Sequence, residues 1–458
     1  MLYLELARHK DSTKEEPSMT IPSIAKTLLG VKNIHVESMD MEITDGKPTL
    51  IIHARPYKRD ICRCGICGKE APGYDQGRGM RRWRAPDIGE EVQVYVESDA
   101  RRVECPEHGP TVHWVPWARH GAGFTRNFED AAAWLALRLP KTAVAEYLRV
   151  KWETVGNILT RVEKEKRELW NPYDNLKQIG IDETSYKKGH KYLTVIVNHD
   201  TNTVVWVAKG YGKSVLEEFF AELSDEQKAG IQLVSGDGAR WIRDTVKNHC
   251  PNAAFCIDPF HVVSWCTEAL DEVRREEWNK ARTAMKDEKK AAEKAGTTGK
   301  KDRQARQAVN DLRGVKYPLL MNPDKLREEV KAKLEQSLLR NRRLSTAYTL
   351  KEDLRLIFQL PADEVGPAID TWRRRAWSCR IPQFVELQRK IKRHKAAIIS
   401  TITYGLSNAR TEATNNKIKL TIRMAYGFRN IENLISMILL RFGGIPFSLP
   451  GRSDTGAA

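Results

Sequence analysis

The stretch Gln178-Ile179-Gly180-Ile181-Asp182-Glu183-Thr184-Ser185-Tyr186-Lys187-Lys188-Gly189-His190-Lys191-Tyr192-Leu193-Thr194-Val195-Ile196-Val197 decides the fold. Its apolar residues mark two short strands, one ending at Asp182 and one over Tyr192–Val197. A third strand follows at Thr203–Ala208, then a helix at Ser214–Leu223, with Ser214 as its cap and Glu217 three residues on. A fourth strand, Ile231–Ser235, leads to Asp237. Beyond it come a helix at Ala239–Asn248, a fifth strand at Ala253–Ile257 and a helix from Phe260 to Arg275.

Three consecutive strands and then helix–strand–helix–strand–helix is the order of a ribonuclease-H-like mixed sheet. Two of its strands deliver carboxylates, Asp182 and Asp237. A third, Glu412, sits in the polar helical stretch Ser407-Asn408-Ala409-Arg410-Thr411-Glu412-Ala413-Thr414-Asn415-Asn416. Three such groups suit two hard divalent cations, Mg²⁺ or Mn²⁺. Two cations about 4 Å apart can activate an attacking oxygen and stabilise a leaving one. Asp182 is expected to bridge the ions, with Asp237 and Glu412 each serving one. A lone Asp is more often a cap or loop residue, and Asp258, in Asp258-Pro259-Phe260-His261, reads as a helix cap that supports the fold or the metal shell. His261 could face the metals or DNA, and Glu183 competes with its neighbour Asp182.

The chain has 458 residues, enough for two to four domains. Its 76 Lys and Arg against 60 Asp and Glu leave a formal charge of +16. An excess of this size favours a polyanionic partner, through release of condensed counterions. Four of the 8 cysteines, Cys62, Cys64, Cys67 and Cys105, lie in one early segment with His108. That clustering speaks for a metal and a reducing compartment rather than a disulfide framework. Cys64-Gly65-Ile66-Cys67 and Cys105-Pro106-Glu107-His108 supply four ligands for a tetrahedral, structural Zn²⁺ in a zinc ribbon. Cys62 is surplus to that set, and His113 competes with His108. The first ten residues lack a signal-peptide pattern, and no apolar run reaches the roughly 20 residues that span a bilayer. The expectation is a cytoplasmic protein with no membrane partner.

Around the ribbon, alternation at Ile34–Ile43, Thr49–Arg55 and Val92–Val96 predicts strands. The period turns helical at Phe128–Leu139, Thr142–Leu148 and Glu153–Val162. The last two, joined by a short turn, read as a helix-turn-helix that directs Thr154, Asn157 and Arg161 to a major groove. The competing reading is a helical linker with Val144, Leu148, Val155 and Ile158 as core. Residues 276–400, rich in Lys, Arg, Glu and Ala, predict an all-helical insertion, with a turn at Gly296-Thr297-Thr298-Gly299. Within it Trp372 and Trp377 stand among Arg373, Arg374 and Arg375; they read as core tryptophans before they read as platforms for an unpaired base. Lys417, Lys419, Arg423 and Arg429, with Tyr426 and Phe428, follow Glu412 closely enough to hold a phosphate backbone. The domain plan is therefore 1–120 with the zinc ribbon, 121–170 helix-turn-helix, 176–275 first part of the core, 276–400 insertion, 401–445 last core helix with Glu412, and 446–458 tail.

Cys64-x-x-Cys67, the helix-turn-helix, Gly180-Ile181-Asp182-Glu183, Lys188-Gly189-His190-Lys191-Tyr192, Asp258-Pro259-Phe260-His261 and Asn408-Ala409-Arg410-Thr411-Glu412-x-x-Asn415-Asn416-Lys417-Ile418-Lys419 with Ala425-Tyr426-Gly427-Phe428-Arg429 resemble the ISL-three family of bacterial insertion-sequence transposases. The likeness covers roughly residues 20–445. It implies a DDE transposase whose catalytic acids fall on Asp182, Asp237 and Glu412, in a core interrupted by helices. It also implies double-stranded DNA partners, namely the element's terminal inverted repeats and a target. Synapsis of two ends suggests a homodimer, and the setting would be the bacterial nucleoid. The chain departs from the family pattern by offering Cys105 with His108 in place of a second cysteine pair. Two other readings of the same residues remain open: a metal-dependent nuclease without strand transfer, and a non-enzymatic regulator descended from a transposase.

Overall fold

The computed structural model describes residues 20–31, 33–89, 91–295 and 300–449. The signal-peptide reading of the first ten residues, the turn at 296–299 and the tail beyond Leu449 lie outside them. The chain divides into two compact units, one taking the chain up to Trp170 with Glu432–Leu440 and the residues from Ile445 on, the other Asn171–Ile431 with Arg441–Gly444. No helix among the described residues is long and apolar enough to cross a membrane.

The first unit opens with helix α1 (Ile21–Leu29) and the hairpin β1 (Ile34–Thr44) and β2 (Lys47–Pro56). Asp45 and Gly46 both take positive φ, 50° and 75°, the geometry a two-residue hairpin turn demands. Strands β3 (Gly73–Asp75), β4 (Met80–Ile88), β5 (Val92–Asp99), β6 (Arg102–Cys105) and β7 (Gly109–Val112) follow. They form a four-stranded sheet, β1-β2-β5-β4, and a small sheet, β3-β6-β7. Alternation along β5 sends Val94 and Val96 into a core with Ile34, Ile52, Trp83 and Trp117. The two tryptophan rings meet edge to face at 5.7 Å. Helices α2 (Arg126–Ala136), α3 (Lys141–Leu148) and α4 (Trp152–Glu168) complete the segment. Thr125 caps α2, and α3 ends on Arg149 in the left-handed conformation.

The second unit is built on strands β8 (Gln178–Lys187), β9 (Lys191–Asn198) and β10 (Thr203–Lys209), helices α5 (Lys213–Glu222) and α6 (Asp225–Gly230), strand β11 (Leu233–Gly236), helix α7 (Arg240–His249) and strand β12 (Ala254–Ile257). Its sheet runs β10-β9-β8-β11-β12. β9 pairs antiparallel with both β10 and β8; β11 is parallel to both β8 and β12. The reading that ends the first strand at Asp182 stops too early. The β8–β9 pairing continues to Lys187↔Lys191 after β11 has left β8 at Ser235↔Gly180. Ser214 is likewise not the cap of α5: it lies inside the helix, and Gly212 at φ 100° opens it, a backbone conformation that favours glycine.

From Asp258 on, the described chain is helical: α8 (Pro259–Ala295), α9 (Lys300–Leu312), α10 (Lys316–Leu320), α11 (Glu328–Arg340), α12 (Arg342–Ile357), α13 (Ala362–Ser378), α14 (Pro382–Tyr404), α15 (Ala409–Met424) and α16 (Ile431–Phe442). At 37 residues, α8 far outruns the helix expected to end at Arg275. Its flank and α10–α14 share one apolar core that includes Leu270, Leu344, Leu350, Trp372, Phe384 and Ile391. Trp372 is a core residue, its indole N–H donating to the Leu350 carbonyl at 2.7 Å. Trp377 is 66% exposed.

The sheet and α5 are held by an aromatic cluster in which Phe219 meets Tyr173, Trp206 and Phe220 with ring centroids 6.1, 5.7 and 5.0 Å away. Phe219→Ala is expected to cost about 3–5 kcal/mol, lowering the midpoint of the urea transition. An unchanged midpoint would mean that the cluster does not carry the sheet.

Candidate active site and zinc centre

In the first unit, a turn holding Cys64 and Cys67 faces the β6–β7 hairpin, which carries Cys105 and His108. Gly65 is required there, since a Cβ would lie 2.4 Å from the Val112 carbonyl oxygen. The ligand atoms of Cys64, Cys67, Cys105 and His108 all lie within 4.8 Å of one another. Separations are 3.8 Å for Cys64 Sγ to His108 Nδ1, 3.8 Å for Cys67 Sγ to Cys105 Sγ, and 3.5 Å for Cys105 Sγ to His108 Nδ1. A tetrahedron with Zn–S bonds of about 2.3 Å has edges of roughly 3.8 Å, so the donor set suits a structural zinc. Burial opposes ionisation of Cys105, but hydrogen bonds from the His108 ring and from the Glu107 and His108 backbone pull its thiol down to about 6. A thiolate at neutral pH is the form that ligates. His113, the expected competitor, points elsewhere, its Nε2 lying 3.0 Å from the Asp99 carbonyl oxygen. Cys62 is exposed.

In the second unit, the parallel register between β8 and β11 pairs Gly180 with Ser235. Extended by two residues, it sets Asp182 level with Asp237, just past the end of β11. Helix α15 lies along β8 at unusually short range. A Cβ on Gly180 would stand 2.1 Å from Thr411 Oγ1 and 2.6 Å from His199 Nε2. Residues i and i+2 of a strand share a face, so Asp182 points where Gly180 would, toward α15. There Asn415 Nδ2 donates to Asp182 Oδ2 at 2.8 Å. Two strand residues advance roughly 6.6 Å and four helical residues about 6 Å, which is why the contacts at 180/411 and 182/415 come together. A buried chain fixes the start of α15: His199 Nε2 lies 2.7 Å from Ser235 Oγ, which donates to Asn408 Oδ1 at 2.9 Å. Burial and the nearby Arg410 charge push His199 down to about 4, so it is neutral at pH 7.

Glu412 lies in the first turn of α15, three residues before Asn415, and is exposed. Among the described residues, only the cysteine–histidine cluster brings its ligand atoms within 4.8 Å of one another; the three acids are not drawn to that spacing. Desolvation raises Asp182 above the ordinary carboxylate range, against hydrogen bonds from the Glu183 backbone N–H and Asn415 and the His261 charge; Asp237 adds to the rise. Glu183 is pushed up to about 7 by desolvation and by the charges of Asp237 and Asp182. Its Oε1 is buried without a hydrogen-bond partner, and so are Asn415 Oδ1 and Thr411 Oγ1. Repelling carboxylates and unpaired hard oxygens are a donor set that fits magnesium. Asp258 caps α8, accepting from the Phe260 N–H at 3.1 Å, and His261 is half-buried within electrostatic reach of Asp182.

Of the residues expected at DNA, Asn157 is exposed and Thr154 half-buried on α4. Arg161 is placed differently: its guanidinium is tied to the fully buried Glu129, with Nε donating at 2.8 Å. It braces α4 against α2. On α15, Glu412, Asn416, Lys419 and Arg423 form one exposed stripe at i, i+4, i+7 and i+11, with Lys417 beside it. Arg429 is also exposed. Sequence reasoning missed Asn415 as the partner of Asp182. The signal was its position three residues after Glu412, which puts both on adjoining flanks of one helix.

One zinc per chain is expected, about one equivalent by metal analysis. Cys105→Ser and His108→Ala should lose it and Cys62→Ser should retain it. Full zinc content in His108→Ala would remove His108 from the set.

Three family models match the chain. One described as "Transposase" covers residues 179–438, one described as "Helix-turn-helix domain of transposase family ISL3" covers 115–163, and one described as "zinc-finger of transposase IS204/IS1001/IS1096/IS1165" covers 61–108. The chain is 45% identical over 434 residues to the "Transposase for insertion sequence element IS1557" of two Mycobacterium tuberculosis strains, covering 94% of this chain and 97% of the relative. It is 26% identical over 426 residues to the "Transposase for insertion sequence element IS1001" of Bordetella parapertussis, covering 92% and 98%. With a transposase model matched across the sheet and helices that carry the acids, and relatives aligned nearly end to end, the chain belongs to the ISL3 family of insertion-sequence transposases.

Proposed function

We propose that this transposase cuts and joins DNA by two-metal phosphoryl transfer at Asp182, Asp237 and Glu412. The observation that carries the reading is the close docking of α15 on β8, with Asn415 bonded to Asp182, because it ties the helix that bears Glu412 to the strand pair that bears the two aspartates. The strand order, with β9 and β10 antiparallel on one side of β8 and β11 and β12 parallel on the other, is read as ribonuclease-H-like, with α8–α14 as the helical insertion. Ions about 4 Å apart with bonds of about 2.1 Å allow ligand oxygens to stand up to roughly 8 Å from each other, so the triad need not converge on one point. Two magnesium or manganese ions would supply Lewis-acid charge for the attacking and leaving oxygens of a phosphodiester. Asn415 and the Glu183 backbone N–H orient the Asp182 carboxylate, one hydrogen bond on each oxygen, and each oxygen keeps a lone pair for a cation.

The remaining assignments follow the same line. Cys64, Cys67, Cys105 and His108 hold the zinc of the N-terminal ribbon. Thr154 and Asn157 on α4 read the terminal inverted repeats. Lys417, Lys419, Arg423 and Arg429 hold the backbone near the cut. Joining two ends calls for a homodimer. The cut strand's 3′-hydroxyl then attacks target DNA, so no side-chain nucleophile is needed.

Asp182→Asn, Asp237→Asn and Glu412→Gln should each abolish Mg²⁺-dependent nicking of a terminal-repeat duplex and joining of a pre-cleaved end, while retaining end binding in a gel-shift assay. A variant that still nicks removes its residue from the triad; nicking without joining in the wild type reduces the enzyme to a nuclease.

A second outcome follows from the raised carboxylates. In the folded protein Asp182 and Glu183 hold protons more tightly than in the unfolded chain. Without divalent cations their contribution therefore falls as pH rises from the ordinary carboxylate value through about 7 for Glu183. Magnesium competes with those protons, so it should raise Tm more at pH 7.5 than at pH 5.5. A magnesium shift equal at both pH values would exclude these carboxylates as ligands.

A further inference from the structure

Beside Asp237, and outside the acidic set, lies a group of cationic and aromatic side chains on α8, α14 and α7. Trp265 of α8 covers Gly238, where a Cβ would meet the indole ring at 2.4 Å. The Lys390 ammonium of α14 sits over the Trp265 ring, 3.6 Å from its centroid, and the His394 ring lies 5.2 Å from the same indole. Arg243 of α7 donates to the Arg393 carbonyl at 3.3 Å, bringing a second and a third cation to the spot. His394 is buried, and desolvation with the charges of Arg243, Lys390 and Arg393 pushes it down to about 4. It is therefore neutral at pH 7, and the positive field comes from the lysine and arginines.

Lys390 is half-buried, and among the described residues no carboxylate pairs with its ammonium. Glu268 and, more weakly, Asp237 are near enough to act on it electrostatically, but neither forms an ion pair with it. A partly desolvated ammonium held on an aromatic face gains most from an anion that arrives with the substrate. The neighbouring acids repel small anions, which selects for a strand whose own contacts hold it in place.

We propose that Lys390, propped by Trp265, binds a backbone phosphate of the DNA strand one or two nucleotides from the bond cut at Asp182 and Asp237. The inference rests on the phosphoryl-transfer reading for its location, not for its chemistry. Lys390 is a positioning residue: it carries no proton to or from the reacting atoms. Lysine suits the role as a point charge that needs no fixed approach direction. Gly238 is required because any side chain there would displace Trp265 and, with it, the ammonium.

The test uses the full-length protein and two substitutions. Lys390→Met keeps the aliphatic stem on Trp265 and removes the charge; Lys390→Arg keeps the charge. Binding of a fluorescent terminal-repeat duplex is measured against salt in an Asp182→Asn background, where the DNA stays intact. The slope of log K against log salt should become shallower by about one for Lys390→Met and stay unchanged for Lys390→Arg. With Asp182 restored, Lys390→Met should slow nicking roughly ten- to hundredfold, with recovery in Lys390→Arg. An unchanged slope in Lys390→Met overturns the proposal, including when Tm falls, since that pattern belongs to a lysine that only packs on Trp265. Absence of nicking in the wild-type protein would instead defeat the phosphoryl-transfer reading, and the salt slope would still decide the phosphate contact.

Discussion

The distance between α15 and β8 is the constraint on which the rest of the second unit depends. A helix packs on a sheet at close range only where the strand presents no side chain, and Gly180 provides that gap under Thr411. The close approach is what lets a short amide, Asn415, reach Asp182 two residues along the strand. The start of the helix is fixed independently by the buried chain His199–Ser235–Asn408, and by Arg410, which donates to the His199 carbonyl. Strand β11 contributes to both ends of this arrangement: Ser235 anchors the helix start, and the backbone two residues later delivers Asp237. Asp182 and Asp237, far apart in the chain, thus acquire their places from backbone register and one glycine, and local hydrogen bonds then orient each carboxylate.

Much of this was legible in the sequence because the period-2 and period-3.6 patterns are strong where elements are half buried. The five strands of the second unit, the ribbon cysteines and the helices before and after Arg149 could all be read from local pattern. What failed were ends and caps. Strand β8 outlasts its apolar pattern because its later residues pair with β9 on backbone hydrogen bonds alone, which polar side chains do not prevent. Ser214 looked like a cap because Ser is a good one, but a glycine at φ 100° had already turned the chain two residues earlier. Arg161 looked like a groove-reading residue because it lies in the second helix of the motif; Glu129, 32 residues earlier, holds it instead. Long-range pairs of that kind leave no trace in spacing. Lys390 is the same case, one cation in a helix full of them, distinguished only by the indole beneath it.

The cysteine–histidine cluster and the acidic region proposed for magnesium differ in a way their chemistry explains. Zinc takes four protein ligands in one tetrahedron, so its donors must be gathered into a single point by tight turns, and Gly65 and the β6–β7 hairpin do so. Magnesium keeps much of its water and needs few protein oxygens, so its ligands can remain apart on separate elements. Close clustering of ligand atoms therefore marks the first kind of site and not the second. The acidic region is recognised by other marks: carboxyls held above their usual range by burial and mutual repulsion, and oxygens with no hydrogen-bond donor.

Charge is organised on two scales. Over the whole chain the balance is +16, which draws in a polyanion from any direction. At the end of β11 the sign reverses within a few side chains, where Asp182, Glu183 and Asp237 repel one another electrostatically. An anionic strand entering that region gains from the surroundings and loses at the centre, so the strand can be held there only if cations cover the acids and fixed positive groups hold the phosphates to either side. In the proposed reading such groups would come from the stripe on α15, where Lys419 and Arg423 continue the line of Glu412, and from Lys390, on a different helix. On the proposed two-metal reading, a local negative site inside a positive protein would take its cations first and admit the anionic strand only once they cover the acids.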